Sequence, residues 1–165
     1  MRTRHLASAV LILVMVVGMA DGARAQGKLG VGVILGEPTG IAWKYRLGGG
    51  EAVDGAVGLS PADRVRFHLD YLWEKRSFEQ ENLRLHYGVG LAFGVGDAEY
   101  VSIQRGDTYV LEERALGFGL RGVVGLTYDF PRSPFDAFAE IAPLVILTPA
   151  GGFGIDAAIG VRVYP

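Results

Sequence analysis

Strict two-residue alternation is the feature of this sequence that most constrains its fold. Residues 82–95, NLRLHYGVGLAFGV, carry a large apolar side chain at every odd position and a polar or small one at every even position. Successive side chains of an extended chain point to opposite faces. The segment therefore predicts a β-strand with one bulky apolar face and one narrow face of charge and glycine.

Eight such segments follow residue 25, separated by connections rich in glycine, proline or charge. They cover residues 28–36, 40–47, 52–59, 64–74, 82–95, 114–128, 135–147 and 153–164. Residues 96–113 form the longest connection, in which some further strand remains an open alternative. Eight consecutive strands with mostly short connections predict an all-β fold, an antiparallel up-and-down barrel.

The size of the side chains decides which face looks into the barrel. Eight strands enclose an interior, here called the lumen, that is too narrow for many large residues. The small and charged face must therefore line the lumen, where opposite charges have to pair because an unpaired buried charge costs several kcal/mol. The charged and histidine side chains predicted there are Lys44, Arg46, Asp54, Arg66, His68, Asp70, Arg84, His86, Arg121, Asp136, Glu140, Asp156 and Arg162.

The opposite face forms an outer wall that is almost uniformly large and apolar. Such a wall would drive aggregation in water, whereas a lipid bilayer accepts it. A Lys or Arg on the lipid side costs about 2–4 kcal/mol at the bilayer midplane, and none of the predicted strand cations lies there. The pattern therefore predicts a transmembrane barrel, with aromatic residues at the two membrane interfaces: Tyr71, Trp73, Phe93, Phe118, Tyr128, Phe135 and Phe153.

The N-terminal 25 residues have the layout of a signal peptide. Arg2 and Arg4 precede an apolar run too short for a comfortable span, and Ala23 and Ala25 supply the small residues of a cleavage site. The alternative is a signal anchor that is never cut. Cleavage leaves residues 26–165 as one domain and changes the formal net charge from −2 to −4, because three arginines and one aspartate are removed. A mildly acidic product gives no reason to expect nucleic acid as a partner.

Export with a cleaved signal and an apolar wall together predict the bacterial outer membrane, with its lipids as partners and the protein as a monomer. If the N-terminus is periplasmic, residues 96–113 lie outside the cell. Their acidic residues indicate either a loop that binds an extracellular partner or a solvated loop, and both interpretations remain open. The chain has no cysteine, which excludes disulfides and thiol chemistry.

Several segments resemble a known family. The ending AIGVRVYP and the eight-segment layout look like small OmpA-type and OmpX-type outer-membrane barrels. The segments GVILGEPTGIAWKY, AVDGAVGLS, RFHLDYLW and FAEIAPLVILTP are similar to a bacterial family of short OmpA-like barrels. The resemblance implies insertion by the outer-membrane assembly machinery, which usually reads a terminal aromatic residue. This chain departs from that pattern because Pro165 follows Tyr164.

Two patterns suggest chemistry, and each has a structural alternative. GFGLRG at 117–122 matches a dinucleotide-binding fingerprint but lies inside a strand pattern, so its glycines are better explained as fillers of the lumen. His68, His86 and Asp70 could form part of a triad or metal site. A hairpin whose paired residue numbers sum to 156 places His86 opposite Asp70, and a sum of 154 pairs the two histidines. An ion-paired network is favoured, with no catalytic, metal or cofactor site.

The sequence thus predicts a non-enzymatic outer-membrane barrel with a structural or interaction role and a lumen plugged by ion pairs. One alternative is a lipid-modifying barrel enzyme with active residues on the outer wall near a rim. Another is a soluble periplasmic barrel that carries an apolar ligand in its cavity, which requires the charges to lie outside.

Overall fold

The computed structural model describes residues 27–60, 64–76, 80–104, 107–148 and 151–165. The signal peptide predicted for residues 1–25 lies outside these ranges. The described chain forms eight strands. They are β1 (Leu29–Gly36), β2 (Thr39–Gly48), β3 (Glu51–Ser60), β4 (Arg64–Lys75), β5 (Leu83–Gln104), β6 (Asp107–Asp129), β7 (Phe135–Thr148) and β8 (Gly152–Val163).

Each strand pairs antiparallel with its neighbours in the sequence, and β1 also pairs with β8. The sheet is therefore a closed barrel, and the predicted all-β, eight-stranded up-and-down fold is confirmed. Along the described strands, closure leaves no free sheet edge within the cylinder. The β6–β7 pairing is interrupted at Gly122 and Val123, near Pro143 of β7, which has no backbone N–H. The described part of the chain contains no helix long and apolar enough to cross a membrane.

The two ends of the barrel differ. Residues 27 and 165 lie at one end, here called the termini end, together with the β2–β3, β4–β5 and β6–β7 connections. The other end is called the hairpin end, because β5 and β6 continue there well beyond their neighbours. Pairing of β5 with β4 stops at Val95, whereas its pairing with β6 continues to Gln104 opposite Asp107.

Residues 96–113 are thus a continuation of β5 and β6 as a two-stranded ribbon, apart from residues 105–106, which lie outside the described ranges. The prediction of a loop-like connection was wrong for the described part, and the open alternative of strand extension describes it better. Runs of charge such as GDAE made the segment look like a connection. Antiparallel pairing within one hairpin needs only local partners, so it tolerates such a sequence beyond the rim.

Side-chain exposure follows the two-residue period. Along β7, for example, Asp136, Phe138 and Glu140 are buried, whereas Ala139 and Ile141 between and beyond them are exposed. Large apolar residues cover the outside of every strand, among them Val57, Val89 and Ile155. The bulky face therefore looks outward and the small and charged face looks inward.

Candidate functional site: the lumen of the barrel

The lumen holds the charged residues that the alternation assigns to it. Ten of the thirteen are at most 6% exposed: Lys44, Asp54, His68, Asp70, His86, Arg121, Asp136, Glu140, Asp156 and Arg162. The other three, Arg46, Arg66 and Arg84, have side chains 19%, 18% and 12% exposed and reach inward to carboxylates. A soluble barrel with its charges outside does not fit this placement.

The first of two ion-pair networks lies toward the termini end and is here called the termini-end network. It is a chain of alternating sign with four cations and four carboxylates, in the order Asp54, Arg162, Asp136, Arg46, Asp129, Arg84, Glu74 and Lys44. Arg162 shows its geometry best. Its Nε donates to Asp136 Oδ1 over 3.0 Å and its Nη1 to Asp54 Oδ2 over 3.4 Å. Each cation between two carboxylates offsets part of the cost of their burial.

Tyr164 closes the termini end of this network. Its side chain is 1% exposed, its hydroxyl donates to Asp136 Oδ2 over 2.7 Å, and the Arg46 guanidinium lies 3.9 Å from its ring centroid. A Cβ on Gly30 would lie 2.5 Å from the ring, so only glycine leaves room for it. Burial raises the pKa of the Tyr164 phenol, although the nearby Arg162 acts in the opposite direction. Because the pKa is raised, the hydroxyl remains a neutral donor.

The second network lies toward the hairpin end and is here called the hairpin-end network. Arg66 bonds Asp156 with two nitrogens, each over 3.0 Å, and donates to Glu37 over 2.7 Å. Arg121 lies 3.7 Å from the same Asp156, 3.0 Å from Glu140 and 3.2 Å from Asp70. The network therefore joins two guanidinium groups to four carboxylates. Among the described residues, no ion pair connects it to the termini-end network.

Two histidines border the hairpin-end network. His68 Nε2 lies 3.9 Å from Asp70 Oδ2, and His86 Nε2 lies 3.9 Å from Glu140 Oε2. His86 Nδ1 is 3.1 Å from the Thr127 hydroxyl, which fixes the ring. Glycine makes this arrangement possible, since a Cβ on Gly90 would overlap an Asp70 oxygen and one on Gly125 would overlap the His86 ring.

Both predicted registers of the β4–β5 hairpin were wrong. The paired residue numbers sum to 160, so Asp70 lies opposite Gly90, His68 opposite Ala92 and His86 opposite Glu74. Alternation fixes which face a side chain takes, but a slip by any even number of residues preserves that face. The His86–Asp70 contact is therefore replaced by one between His86 of β5 and Glu140 of β7, which meet above Gly125 of the intervening strand β6.

Four partners of these networks were missed by the sequence analysis: Glu37, Glu74, Asp129 and Tyr164. Glu74 was within reach of the method, because it continues the even-numbered face of β4 beyond Asp70. Glu37 and Asp129 lie at strand ends, where alternation gives no direction. With these three acids included, the two networks contain eight carboxylates and six cations, instead of the near balance expected.

The predicted interface aromatics form two groups on the outer wall. Toward the termini end, the Trp73 ring lies 5.2 Å from Tyr71 and 5.8 Å from Tyr87, and Tyr128 lies 5.2 Å from Phe130. Toward the hairpin end, Phe93 lies 5.2 Å from Phe118 and 6.0 Å from Phe67. Phe153, 88% exposed, is the second residue of β8 at the hairpin end, and Phe135 is the first residue of β7 at the termini end.

The lumen is built for ion pairing. Within the described ranges, no group of three or more His, Cys, Asp or Glu side chains is arranged to hold a metal ion. GFGLRG lies inside β6, where Gly117 faces Gly94 and Gly119 faces Ala92 across the strand pair, and the strand continues beyond it to Asp129. The fingerprint therefore lacks the helix N-terminus that a dinucleotide needs.

Comparison with solved structures supports the fold. The sequence matches no protein-family model and no curated protein. The structure matches the crystal structure of the N-terminal β-barrel domain of Pseudomonas aeruginosa OprF, with a TM-score of 0.55 and 19% identity. The match covers 82% of this chain and 93% of that one. The predicted resemblance to OmpA-like eight-stranded barrels is thereby confirmed at the level of the fold.

Proposed function

We propose that this chain is an integral protein of the bacterial outer membrane with a structural or interaction role, without enzymatic activity, and with a lumen closed by ion pairs. The observation that carries the proposal is the outer wall. Large apolar side chains such as Val57, Val89, Leu116 and Ile159, which are 45%, 59%, 75% and 59% exposed, cover a closed cylinder. An apolar surface of this extent needs hydrocarbon around it.

The fold shared with the OprF barrel domain supports the same location. So do the two aromatic groups on the wall, because Trp and Tyr favour the level of the lipid headgroups. Export by a cleaved signal peptide and insertion by the assembly machinery are part of the proposal. The ends then lie as the sequence analysis expects, with the termini end in the periplasm and the hairpin end outside the cell.

A closed lumen is supported by the burial of the two networks. Side chains such as Lys44, Arg121 and Arg162, at most 2% exposed, lie where water would pass in a channel. An eight-stranded barrel is just wide enough to be filled by its own side chains. We therefore expect no steady ion conductance from the protein in planar bilayers, and steady single-channel currents would contradict a closed lumen.

The membrane location can be tested by the depth dependence of a charge on the wall. Val124, 48% exposed, lies midway between the two aromatic groups on β6, whereas Leu59, 55% exposed, lies near the end of β3. In a bilayer, Val124→Arg should destabilise the folded barrel by about 2–4 kcal/mol and Leu59→Arg by about 0–1 kcal/mol. Urea unfolding of the barrel refolded in lipid vesicles measures both.

The two arginine variants are matched controls for each other, because each adds one charge to the wall. Equal effects at both positions would contradict a wall that contacts lipid. An independent check uses isolated membranes: urea or carbonate washing should leave the protein in the pellet, and unheated protein should migrate differently from boiled protein in a gel. Release by the wash would favour a peripheral protein.

The ribbon formed by residues 96–113 is the proposed contact with an extracellular partner. Beyond Val95 on β5, the ribbon strands pair with each other and with no other described strand, so their outer edges can meet another molecule. Deleting residues 97–112 should leave the gel-mobility shift of the barrel intact. Loss of that shift would show that the ribbon belongs to the barrel itself.

A further inference from the structure

The hairpin-end network carries a surplus of negative charge. It joins four carboxylates, Glu37, Asp70, Glu140 and Asp156, to the two guanidinium groups of Arg66 and Arg121. Three of the four carboxylates belong to residues at most 6% exposed, so water cannot screen them effectively. The fourth, Glu37, is 24% exposed and also accepts a hydrogen bond from the Ser60 hydroxyl over 2.6 Å. A buried charge without compensation costs several kcal/mol, so the surplus would weigh against folding if it were not neutralised.

The number of bordering histidines equals the surplus. The carboxylates exceed the cations by two, and two of them, Asp70 and Glu140, each have a histidine ring nitrogen at 3.9 Å. The rings of His68 and His86 belong to residues 4% and 1% exposed. Each histidine thus forms a buried pair with one of the surplus carboxylates.

Hydrogen bonding within these pairs is incomplete. Neither oxygen of the Asp70 carboxyl accepts a hydrogen bond, although the residue is 1% exposed, and its contact with Arg121 Nε at 3.2 Å is not aligned as one. His86 Nε2 also has no hydrogen-bond partner, and it points toward Glu140. Buried polar atoms are nearly always partnered. A buried carboxyl or imidazole that lacks a hydrogen-bond partner in one protonation state is therefore evidence for its other protonation state.

We propose that the lumen is a proton-binding site, in which the Asp70–His68 pair and the Glu140–His86 pair each hold one proton at neutral pH. The two protons come from solvent during folding and make the hairpin-end network electrically neutral. The proposal counts the protons of each pair and does not depend on which member carries them. It also does not depend on the membrane location, because it concerns only the lumen.

A metal ion is a poorer candidate for the missing positive charge. Arg121 lies between Asp70, Glu140 and Asp156, so its guanidinium would repel a cation placed among them. A proton needs no coordination shell and fits between groups already in contact.

The two pairs are surrounded by residues of β3, β4, β5, β6 and β8, some charged and some uncharged. On β3, Asp54 lies opposite Asp70, and on β5 the residues opposite Asp70 and His68 are the uncharged Gly90 and Ala92. Glu74 of β4 lies opposite His86, and the neighbours of Glu140 on β6 and β8 are Gly125 and Ala158. Across the lumen, the charged groups acting on one or both pairs are Lys44, Arg66, Arg121, Asp136, Asp156 and Arg162.

The test is the number of protons released when the barrel unfolds. In the unfolded chain, His titrates near pH 6.5 and Asp and Glu near pH 4, so at pH 8 each pair holds no proton. Unfolding in weakly buffered detergent solution at pH 8 should then release two protons per chain. Because the folded state binds more protons, stability falls as pH rises, and the unfolding equilibrium constant should increase about a hundredfold per pH unit between pH 7 and 8.5.

Substitutions at the two acids test which pair holds each proton. Asp70→Asn removes one surplus charge, so the increase should drop to about tenfold per pH unit, and Asp70→Asn with Glu140→Gln should leave the constant nearly independent of pH. Asp129→Asn is the matched control, because Asp129 belongs to the balanced termini-end network and accepts hydrogen bonds from Arg46 and Arg84. This control should keep the hundredfold increase.

The number of protons released by the wild-type protein tests the proposal even if a variant fails to fold. Release of no proton at pH 8, with stability independent of pH between 7 and 8.5, would overturn the proposal. A stability that rises with added sodium or magnesium, while no proton is released, would show that an inorganic cation neutralises the network and would overturn it as well. An unchanged slope in the double variant would place the titration elsewhere.

Discussion

The two ends of the lumen solve the same physical problem in different ways. In the termini-end network four cations alternate with four carboxylates, and Tyr164 covers the end by bonding Asp136 and stacking under Arg46. In the hairpin-end network two guanidinium groups pair with four carboxylates, and two histidines lie next to two of these carboxylates. The difference indicates two ways to balance charge in a lumen: one cation for each acid at the termini end and, as we propose, bound protons for the surplus acids at the hairpin end.

Arg162→Ala should have the largest effect, because it breaks the balanced network at its centre. Arg162 is 2% exposed and lies between Asp54 and Asp136, so its removal leaves buried carboxylates without their cation. The expected loss is about 3–5 kcal/mol of unfolding free energy, measured by urea unfolding of the refolded barrel. The exposed Arg76→Ala is the control. Equal losses in the two variants would contradict a structural role for the network.

Glu140→Ala should cost less, since it removes an acid from the network that has too many. The variant loses the hydrogen bond from Arg121 Nη2 over 3.0 Å, but Asp70 and Asp156 remain beside the guanidinium. We expect a loss of about 2–3 kcal/mol at pH 7, measured in the same urea titration. Unchanged resistance to urea would count against the ion-paired plug. A loss greater than that of Arg162→Ala would reverse the comparison of the two networks.

Tyr164→Phe tests the cover of the termini end by removing only the hydroxyl. The ring keeps its place beneath Arg46, whereas Asp136 Oδ2 loses a donor at 2.7 Å. The expected loss is about 1.5 kcal/mol, which thermal unfolding would detect. Tyr128→Phe, on the outer wall, is the matched control and should be nearly neutral. A neutral Tyr164→Phe would mean that packing of the ring alone holds the cover.

Asp129→Asn should have the smallest effect on stability. Its carboxylate is 22% exposed and accepts from Arg46 and Arg84, which keep Asp136 and Glu74 as further partners. Partly solvated ion pairs contribute about 0.5–1 kcal/mol, and salt screens them. Urea titrations at low and high salt should show this loss shrinking as salt rises. A loss that is independent of salt would indicate that Asp129 is buried more deeply in solution.

The strands could be predicted because their signal is local. Residues 82–95 alternate without interruption, because every second residue of this segment is large and apolar. A narrow cylinder has no room for a face that is large throughout, and the lipid side excludes charge, so Lys44, Asp54 or Arg162 could be assigned to the lumen from the sequence. The limit of this signal appears in the described part of residues 96–113. There β5 and β6 continue beyond the barrel, so the sequence no longer alternates between a lipid-facing apolar side and a lumen-facing polar side.

What the sequence by itself determined was the number of strands, the face of each side chain and the fold class. Only the tertiary structure decided the partners. The β4–β5 register, the contact of His86 with Glu140, the missed acids Glu37 and Asp129, and the burial of Tyr164 all depend on how the strands are staggered around the cylinder. The physical reason is the two-residue period, which is blind to slips of two residues and says nothing about which side chains meet across the lumen.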